Sequence, residues 1–133
     1  VLVFKNLKTL PISNFIAQIP IELSEGYQKI DLIYIDDVIS AYDKSIKNIL
    51  DSNTKSKKDY VISSGESHSI REIVEVIKNI NKNKKFKVKF GKPSTIDPDD
   101  VYGSYNKILN DMGWKPTVSL EEGLRNTINF YEN

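Results

Sequence analysis

Apolar residues along this chain keep two different rhythms, and the changes of rhythm mark its elements. Within the run IDLIYIDDVISAYDKSIKNIL, from Ile30 to Leu50, Leu32-Ile33-Tyr34-Ile35 has the β-branched and aromatic composition of a buried strand. After Asp36 and Asp37, Val38, Tyr42, Ile46 and Ile49 recur at helical spacing, which predicts one apolar face. Asp36 suits the N-cap, and both carboxylates stand where the helix dipole is positive. A second unit repeats the design. Tyr60-Val61-Ile62-Ser63 reads as a buried strand and Ser64-Gly65-Glu66-Ser67-His68 as the turn after it. Ser69 and Glu72 form a capping box, and Ile70, Ile73, Ile77 and Ile80 share the face of the helix it opens. Such alternation predicts an α/β arrangement with parallel strands.

The remaining elements are shorter. Val1 to Phe4 reads as a strand, and Phe15 to Ile19 as a short helix stopped by Pro20. Ile21-Glu22-Leu23 reads as a strand that a turn at Ser24-Glu25-Gly26 folds into a hairpin with Leu32–Ile35. Asp51 to Lys58 is a polar surface loop. Phe86, Val88 and Phe90 alternate with Lys85, Lys87 and Lys89, the pattern of a half-buried strand with a basic outer face. A loop from Gly91 to Asp100 leads to a short helix through Tyr105, Ile108, Leu109 and Met112, ended by Gly113. Ser119 and Glu122 open a final helix carrying Leu124, Ile128 and Tyr131, and Trp114 and Tyr131 have the setting of core residues.

Composition narrows the class. The 133 residues suit one domain, 1–133, with a substantial core, and a net charge of +1 gives no global case for nucleic acid or membrane binding. With no cysteine, disulfides and thiolate chemistry are excluded. No apolar run approaches the roughly 20 residues of a membrane span, so a cytoplasmic protein is expected. A chain that opens on Val1 rather than Met reads as a fragment or a processed form.

Candidate chemistry is sparse. The glycines at 26, 65, 91, 103, 113 and 123 form no G-x-G-x-x-G or G-x-x-G-x-x-G loop for a dinucleotide pyrophosphate. None of the seven tyrosines has a lysine four residues on, the spacing of a Tyr-Lys acid/base couple. The lone His68 reads as a loop histidine, and Asp97, Asp99 and Asp100 as a solvated acidic loop without calcium-loop spacing. The lysines at 78, 82, 84, 85, 87, 89 and 92 read as a solvated face, with Lys92 the one best placed for an anionic ligand. The Asp36-Asp37 pair reads as a helix cap rather than as paired acid/base carboxylates.

Four segments carry a family resemblance. QKIDLIYIDDVISAY resembles Q-x-R-D-F-I-Y-V-D-D-V-x-x-A-Y of the extended short-chain dehydrogenase/reductases, NAD(P)-dependent epimerases and dehydratases of nucleotide-diphosphate sugars. Tyr60 to Gly65 followed by Ser69-Ile70-Arg71-Glu72 resembles Y-N-I-G-S-G…S-I-R-E. Met112 to Pro116 and Ser119 to Leu124 are similar to the L-G-W-K-P and S-L-E-E-G-L ending, and Val1-Leu2-x-Phe4-x-Asn6 faintly matches V-L-R-x-F-N. The resemblance implies an α/β fold: the C-terminal part of a Rossmann-type enzyme, short mixed strands packed with about four to five helices, the N-terminal dinucleotide-binding half absent.

It also implies a ligand. In these enzymes the C-terminal part closes over the sugar nucleotide, and an asparagine and two arginines hold its pyrophosphate by charge-assisted capture. Asn6 matches the asparagine. Ile30, flanked by Gln28 and Lys29, stands at the first arginine position, and in the loop expected to bear the second only Lys92 is cationic. Val61 and Ser63 replace the strand asparagine and glycine, and Arg71 and Arg125 lie inside helix patterns as poor replacements. The resemblance thus implies a substrate-binding portion contacting a nucleotide-diphosphate sugar through Asn6, Gln28, Lys29 and Lys92. Catalytic, cofactor and metal residues are expected to be missing from this chain, with NAD or NADP implied for the full-length enzyme. No nucleic acid or membrane partner is expected, and a homodimer is left open. The rival expectation is a degenerate, non-catalytic module that binds a nucleotide sugar or a partner protein.

Overall fold

The computed structural model describes residues 17–51, 58–81, 87–93 and 100–132. The expected strand at Val1–Phe4, Asn6, most of the predicted surface loop at 51–58, Lys82, Lys84, Lys85, Phe86, Asp97 and Asp99 lie outside the described residues. So do Phe15 and Ile16. Of the short helix expected there, Ala17 and Gln18 form a turn, with Gln18 at φ 58°.

Four short strands and four helices are described: β1 (Ile21–Leu23), β2 (Lys29–Asp31), α1 (Ile35–Asp51), β3 (Ser67–Ser69), α2 (Ile70–Ile80), β4 (Val88–Phe90), α3 (Asn106–Met112) and α4 (Leu120–Glu132). The strands pair as two separate ribbons. β1 runs parallel to β4, with Ile21 beside Val88 and Leu23 beside Phe90, and β2 runs antiparallel to β3, with Ile30 opposite His68. The fold is therefore α/β with short mixed strands, as the resemblance implies, but the details correct several expectations. There is no hairpin between residues 21 and 35. His68, expected in a loop, sits in β3, its Nε2 3.6 Å from Glu66 Oε2. Tyr60–Ser63 belongs to no described strand.

The strand expected at Leu32–Ile35 ends at Asp31 instead, because the following side chains part company. Leu32 packs on a cluster built from Ile21, Ile70, Ile73, Val74, Ile77, Leu124 and Ile128. Ile33 enters a second cluster with Val38, Ala41, Ile108 and Trp114. Helix α1 then starts a residue before Asp36, which falls in the first turn rather than at the N-cap. The buried side of α1 runs through Asp37, Val38 and Ala41. Tyr42, Ile46 and Ile49, expected to face the core with Val38, are 59%, 56% and 70% exposed.

Elsewhere local signals and packing agree. Ser69 and Glu72 close both halves of the capping box on α2, at 3.2 and 2.7 Å. Ile70, Ile73 and Ile77 are buried and Ile80 packs at the edge of the same cluster. Gly113 ends α3 in the left-handed conformation, φ 64°, donating to the Leu109 carbonyl. Ser119 Oγ accepts from Glu122 N at 3.3 Å at the start of α4. Trp114 is buried, its indole N–H donating to Ser40 Oγ at 2.9 Å and its ring edge-on to Tyr105. Tyr131, expected beside it in the core, is exposed at the last turn of α4.

Two buried carboxylates tie the segments together. Asp37 accepts from Thr117 N and Thr117 Oγ1 through one oxygen and from Val118 N through the other, all within 3.0 Å. It anchors the approach to α4, which neither a helix cap nor an acid/base pair would do. Asp31 accepts from Ser64 N at 2.9 Å, Ser64 Oγ at 2.6 Å, and the Gly65 and Gly103 amides at 3.2 Å each. A carboxylate that meets backbone N–H donors on both oxygens is stabilised despite burial.

Candidate functional site

Two segments leave the same end of the β1–β4 pair. One is the arm at residues 24–28, which leads into β2; the other begins at Gly91 and carries Lys92. Gly91 N donates to the Leu23 carbonyl at 2.8 Å, holding the two exits side by side. The arm is seated on the first turn of α2, whose Ile70 and Arg71 amides donate to the Gln28 and Gly26 carbonyls at 3.3 and 3.1 Å. Helix N-termini leave such donors without intrahelical partners, so the arm satisfies groups that would otherwise need water. Gly26 makes this fit possible. It has φ 75°, and a Cβ there would lie 2.8 Å from Phe90 Cε1.

The expected site residues are distributed as follows. Gln28 is half-buried and its side-chain amide donates to Ser24 Oγ at 3.2 Å. Lys29 is exposed at the start of β2, where its backbone N–H donates to Asp100 Oδ1 and its carbonyl accepts from Val101 N, both at 2.7 Å. Asp100 is thus a backbone anchor rather than only part of a solvated loop. Lys92 is exposed beyond β4. Ile30, at the position where the resemblance expects an arginine, packs half-buried on the first apolar cluster.

Arg71 belongs to this region although its place in a helix pattern concealed it. Its guanidinium carbon lies 4.5 Å from the centre of the Tyr27 ring and 4.1 Å from that of Phe90, and Nε donates to the Glu25 carbonyl at 2.7 Å. Asp31 stands at the aspartate of the Q-x-R-D segment, but nothing in the sequence marked it as a junction between distant segments.

Beyond β2 an open cleft of about 240 Å³ is lined by Asp31, Ile33, Val61, Ile62, Ser63, Val101, Tyr102 and Gly103. The oxygens of Asp31 are committed to the bonds above, while Ser63 Oγ is buried with no hydrogen-bond partner among the described residues. The cleft is smaller than the roughly 300–1,000 Å³ of ordinary ligand pockets, so it does not enclose a whole nucleotide sugar. No group of three His, Asp or Glu side chains that would hold a metal occurs among the described residues.

The space beside Gly65 is taken by the Tyr105 ring, beside Gly103 by Ser63, and beside Gly123 by Tyr34. None of these glycines opens a cradle for a phosphate.

Titration is perturbed at two places. Glu72 is held below the ordinary glutamate range, first by the Ser69 backbone N–H and then by its hydroxyl. Near α3, the hydrogen bond from Tyr60, followed by that from Lys58, lowers Asp111; desolvation raises Tyr60, and the Asp111 hydrogen bond raises Lys58. Both are exposed, structural arrangements.

Comparison with known proteins gives a consistent picture. The chain is 30% identical over 114 residues to the CDP-abequose synthase of Salmonella muenchen, covering 84% of this chain and 37% of that protein. It is 29% identical over 108 residues to the dTDP-4-dehydro-6-deoxyglucose reductase of Escherichia coli, covering 80% and 32%. The chain thus spans about a third of the length of the relatives it matches. Among solved structures, the UDP-glucose 4-epimerase of Thermotoga maritima with UDP-glucose superimposes with a TM-score of 0.74 at 24% identity, over 91% of this chain and 37% of that one. The UDP-glucuronic acid 4-epimerase of Bacillus cereus, with UDP-glucuronic acid and NAD, gives 0.75 at 24% identity, over 91% and 38%. A family model described as GDP-mannose 4,6 dehydratase matches residues 6–127, and the chain belongs to that family of nucleotide-sugar epimerases and dehydratases.

Proposed function

We propose that these residues form the substrate-binding portion of an NAD(P)-dependent nucleotide-diphosphate-sugar epimerase or dehydratase, a single domain at 1–133 that turns over no substrate by itself. The observation that carries the reading is the shared exit of the residue 24–28 arm and the Gly91–Lys92 segment from one end of the β1–β4 pair. Gln28, Lys29 and Lys92 lie on these neighbouring segments, where amide and ammonium donors would meet a diphosphate, and the resemblance adds Asn6 as a fourth contact. Bound nicotinamide would supply hydride transfer at the sugar; the residues here bind and orient the nucleotide. The protein is read as cytoplasmic, and no described helix is long and apolar enough to cross a membrane.

Titration of the purified chain with UDP, CDP, dTDP and GDP tests this. One base should bind in preference to the others, more weakly at high salt, and Lys29→Ala and Lys92→Ala should each weaken it about three- to tenfold, the scale of an exposed charge-assisted contact. Binding of none of the four, or binding indifferent to both substitutions, removes the proposal.

Two observations favour a second reading, a non-catalytic module that packs against a partner chain. Ile30 is spent on the core where an arginine was expected, and Ile39, Tyr42, Ile46 and Ile49 make an exposed apolar row on α1. Absence of nucleotide binding together with self-association lost in Ile46→Glu would establish it.

A further inference from the structure

We propose that Arg71 is the positioning residue of the substrate arm. It does not touch the nucleotide; it sets the segment that carries Gln28 and Lys29 against the segment that carries Lys92. The inference rests on the substrate-binding reading above and deepens it.

The structural basis is a clamp with three jaws. The guanidinium carbon lies over the Tyr27 ring of the arm and over the Phe90 ring of β4, 4.5 and 4.1 Å from their centres. Its Nε–H is directed to the Glu25 carbonyl, so a single side chain grips both exits at once. The same residue's backbone N–H holds the Gly26 carbonyl. Arginine suits this place for a reason lysine does not share: its planar, weakly hydrated fork stacks on two rings while one nitrogen still donates in plane. Tyr27 is 65% exposed and belongs to neither apolar cluster, and among the described residues its ring is held by Arg71. Without the clamp, the arm keeps its ends, at β1 and β2, but loses the contact across to Phe90. A side chain acting this way governs ligand affinity through the spacing of the contacts it holds.

The test uses Arg71→Lys, which keeps charge and stem but loses the planar fork, with Arg71→Ala and Tyr27→Ala as companions. Amide hydrogen exchange is followed at Ile70 and residue 71, whose acceptors are arm carbonyls, at Lys29, and at Ile77 and Asn81 farther along α2. Exchange at positions 29, 70 and 71 should accelerate about tenfold in Arg71→Lys and about a hundredfold in Arg71→Ala, with Ile77 and Asn81 unchanged. Tyr27→Ala should reproduce part of the effect. In parallel, Arg71→Lys should weaken the preferred nucleoside diphosphate about tenfold at an unchanged melting temperature. Uniform loss of protection along α2, or no change at 29, 70 and 71, overturns the inference; a purely structural arginine would give the former. If the wild-type chain binds none of the four nucleotides, the substrate-binding reading and Arg71's part in it fall together. If it binds one and Arg71→Lys binds it equally well, only the inference about Arg71 falls.

Discussion

Asparagine in place of Asp31 changes one atom and strikes the junction of three segments. Asp31 is 7% exposed, and its oxygens accept from the Ser64 amide and hydroxyl on one side and from the Gly65 and Gly103 amides on the other. An asparagine retains a single oxygen. Turned toward the glycines, that oxygen keeps both amides, and the new NH2 group opposes Ser64. The Ser64 hydroxyl has an alternative acceptor in the Glu66 carbonyl at 3.0 Å, but the Ser64 amide has lost its partner. One backbone bond to a charged acceptor is worth roughly 1.5–3 kcal/mol, and neutralising the acceptor about halves the two that remain. Taken at the low end of that range the sum is about 3 kcal/mol, a large share of the 5–15 kcal/mol that holds a domain of ordinary stability. With a urea slope of about 2 kcal/mol per molar, the midpoint should fall by about 1.5 M. Far-ultraviolet circular dichroism and the fluorescence of Trp114, the one tryptophan, report the transition. Asp43→Asn is the control, since among the described residues Asp43 pairs only with Lys47, at an exposed position, and should move the midpoint by about 0.2 M. An Asp31→Asn shift no larger than that of the control would refute the view of Asp31 as a structural junction.

Two further outcomes follow from local geometry. Gly65 has φ 79°, and a Cβ there would lie 2.6 Å from Tyr105 Cε1, so Gly65→Ala combines backbone strain with overpacking. It should cost about 2–3 kcal/mol and lower the melting temperature by about 8 °C, and a fall under about 2 °C would contradict the contact. Glu72 titrates below its unfolded value because Ser69 binds the charged form, with His68 and Lys29 adding to the effect. Its contribution is present above about pH 4.3, the ordinary glutamate value, and is lost as pH falls through the lower folded value. Glu72→Gln cannot titrate, so the gap in urea midpoint between wild type and variant should narrow from about pH 6 to about pH 3. A gap constant across that range would show that the charge of Glu72 is not what caps α2.

How legible the chain was depended on how local each cause is. The capping box at Ser69 and Glu72, the left-handed stop at Gly113, the isoleucine face of α2 and the alternation around Val88 are all written within a few residues, and the structure contains them. The family is legible for the same reason, because its motifs are runs of packing residues. The strand expected at Leu32–Ile35 was not, since an apolar run records that side chains are buried and not in which cluster. Leu32 and Ile33 went to different clusters and the ladder stopped at Asp31. The face of α1 was misread because Tyr42, Ile46 and Ile49 have the period of a core face, whereas burial is decided by which neighbours reach the helix. Residues 60–63 carry a strand composition with no strand among the described residues to pair it.

The site divides along the same line. Gln28, Lys29 and Lys92 are proposed as contacts from sequence because the resemblance supplies their register. That their segments leave one end of the β1–β4 pair is a product of parallel pairing between residues more than 60 positions apart. The duties of Asp31, Asp37 and Arg71 are of this second kind. By itself the sequence determined which residues are apolar, where helices open and close, and which family the chain resembles. Only the tertiary structure decided which carboxylates bind distant amides and which arginine lies between two rings, because those partners are chosen by long-range packing rather than by neighbours in the chain.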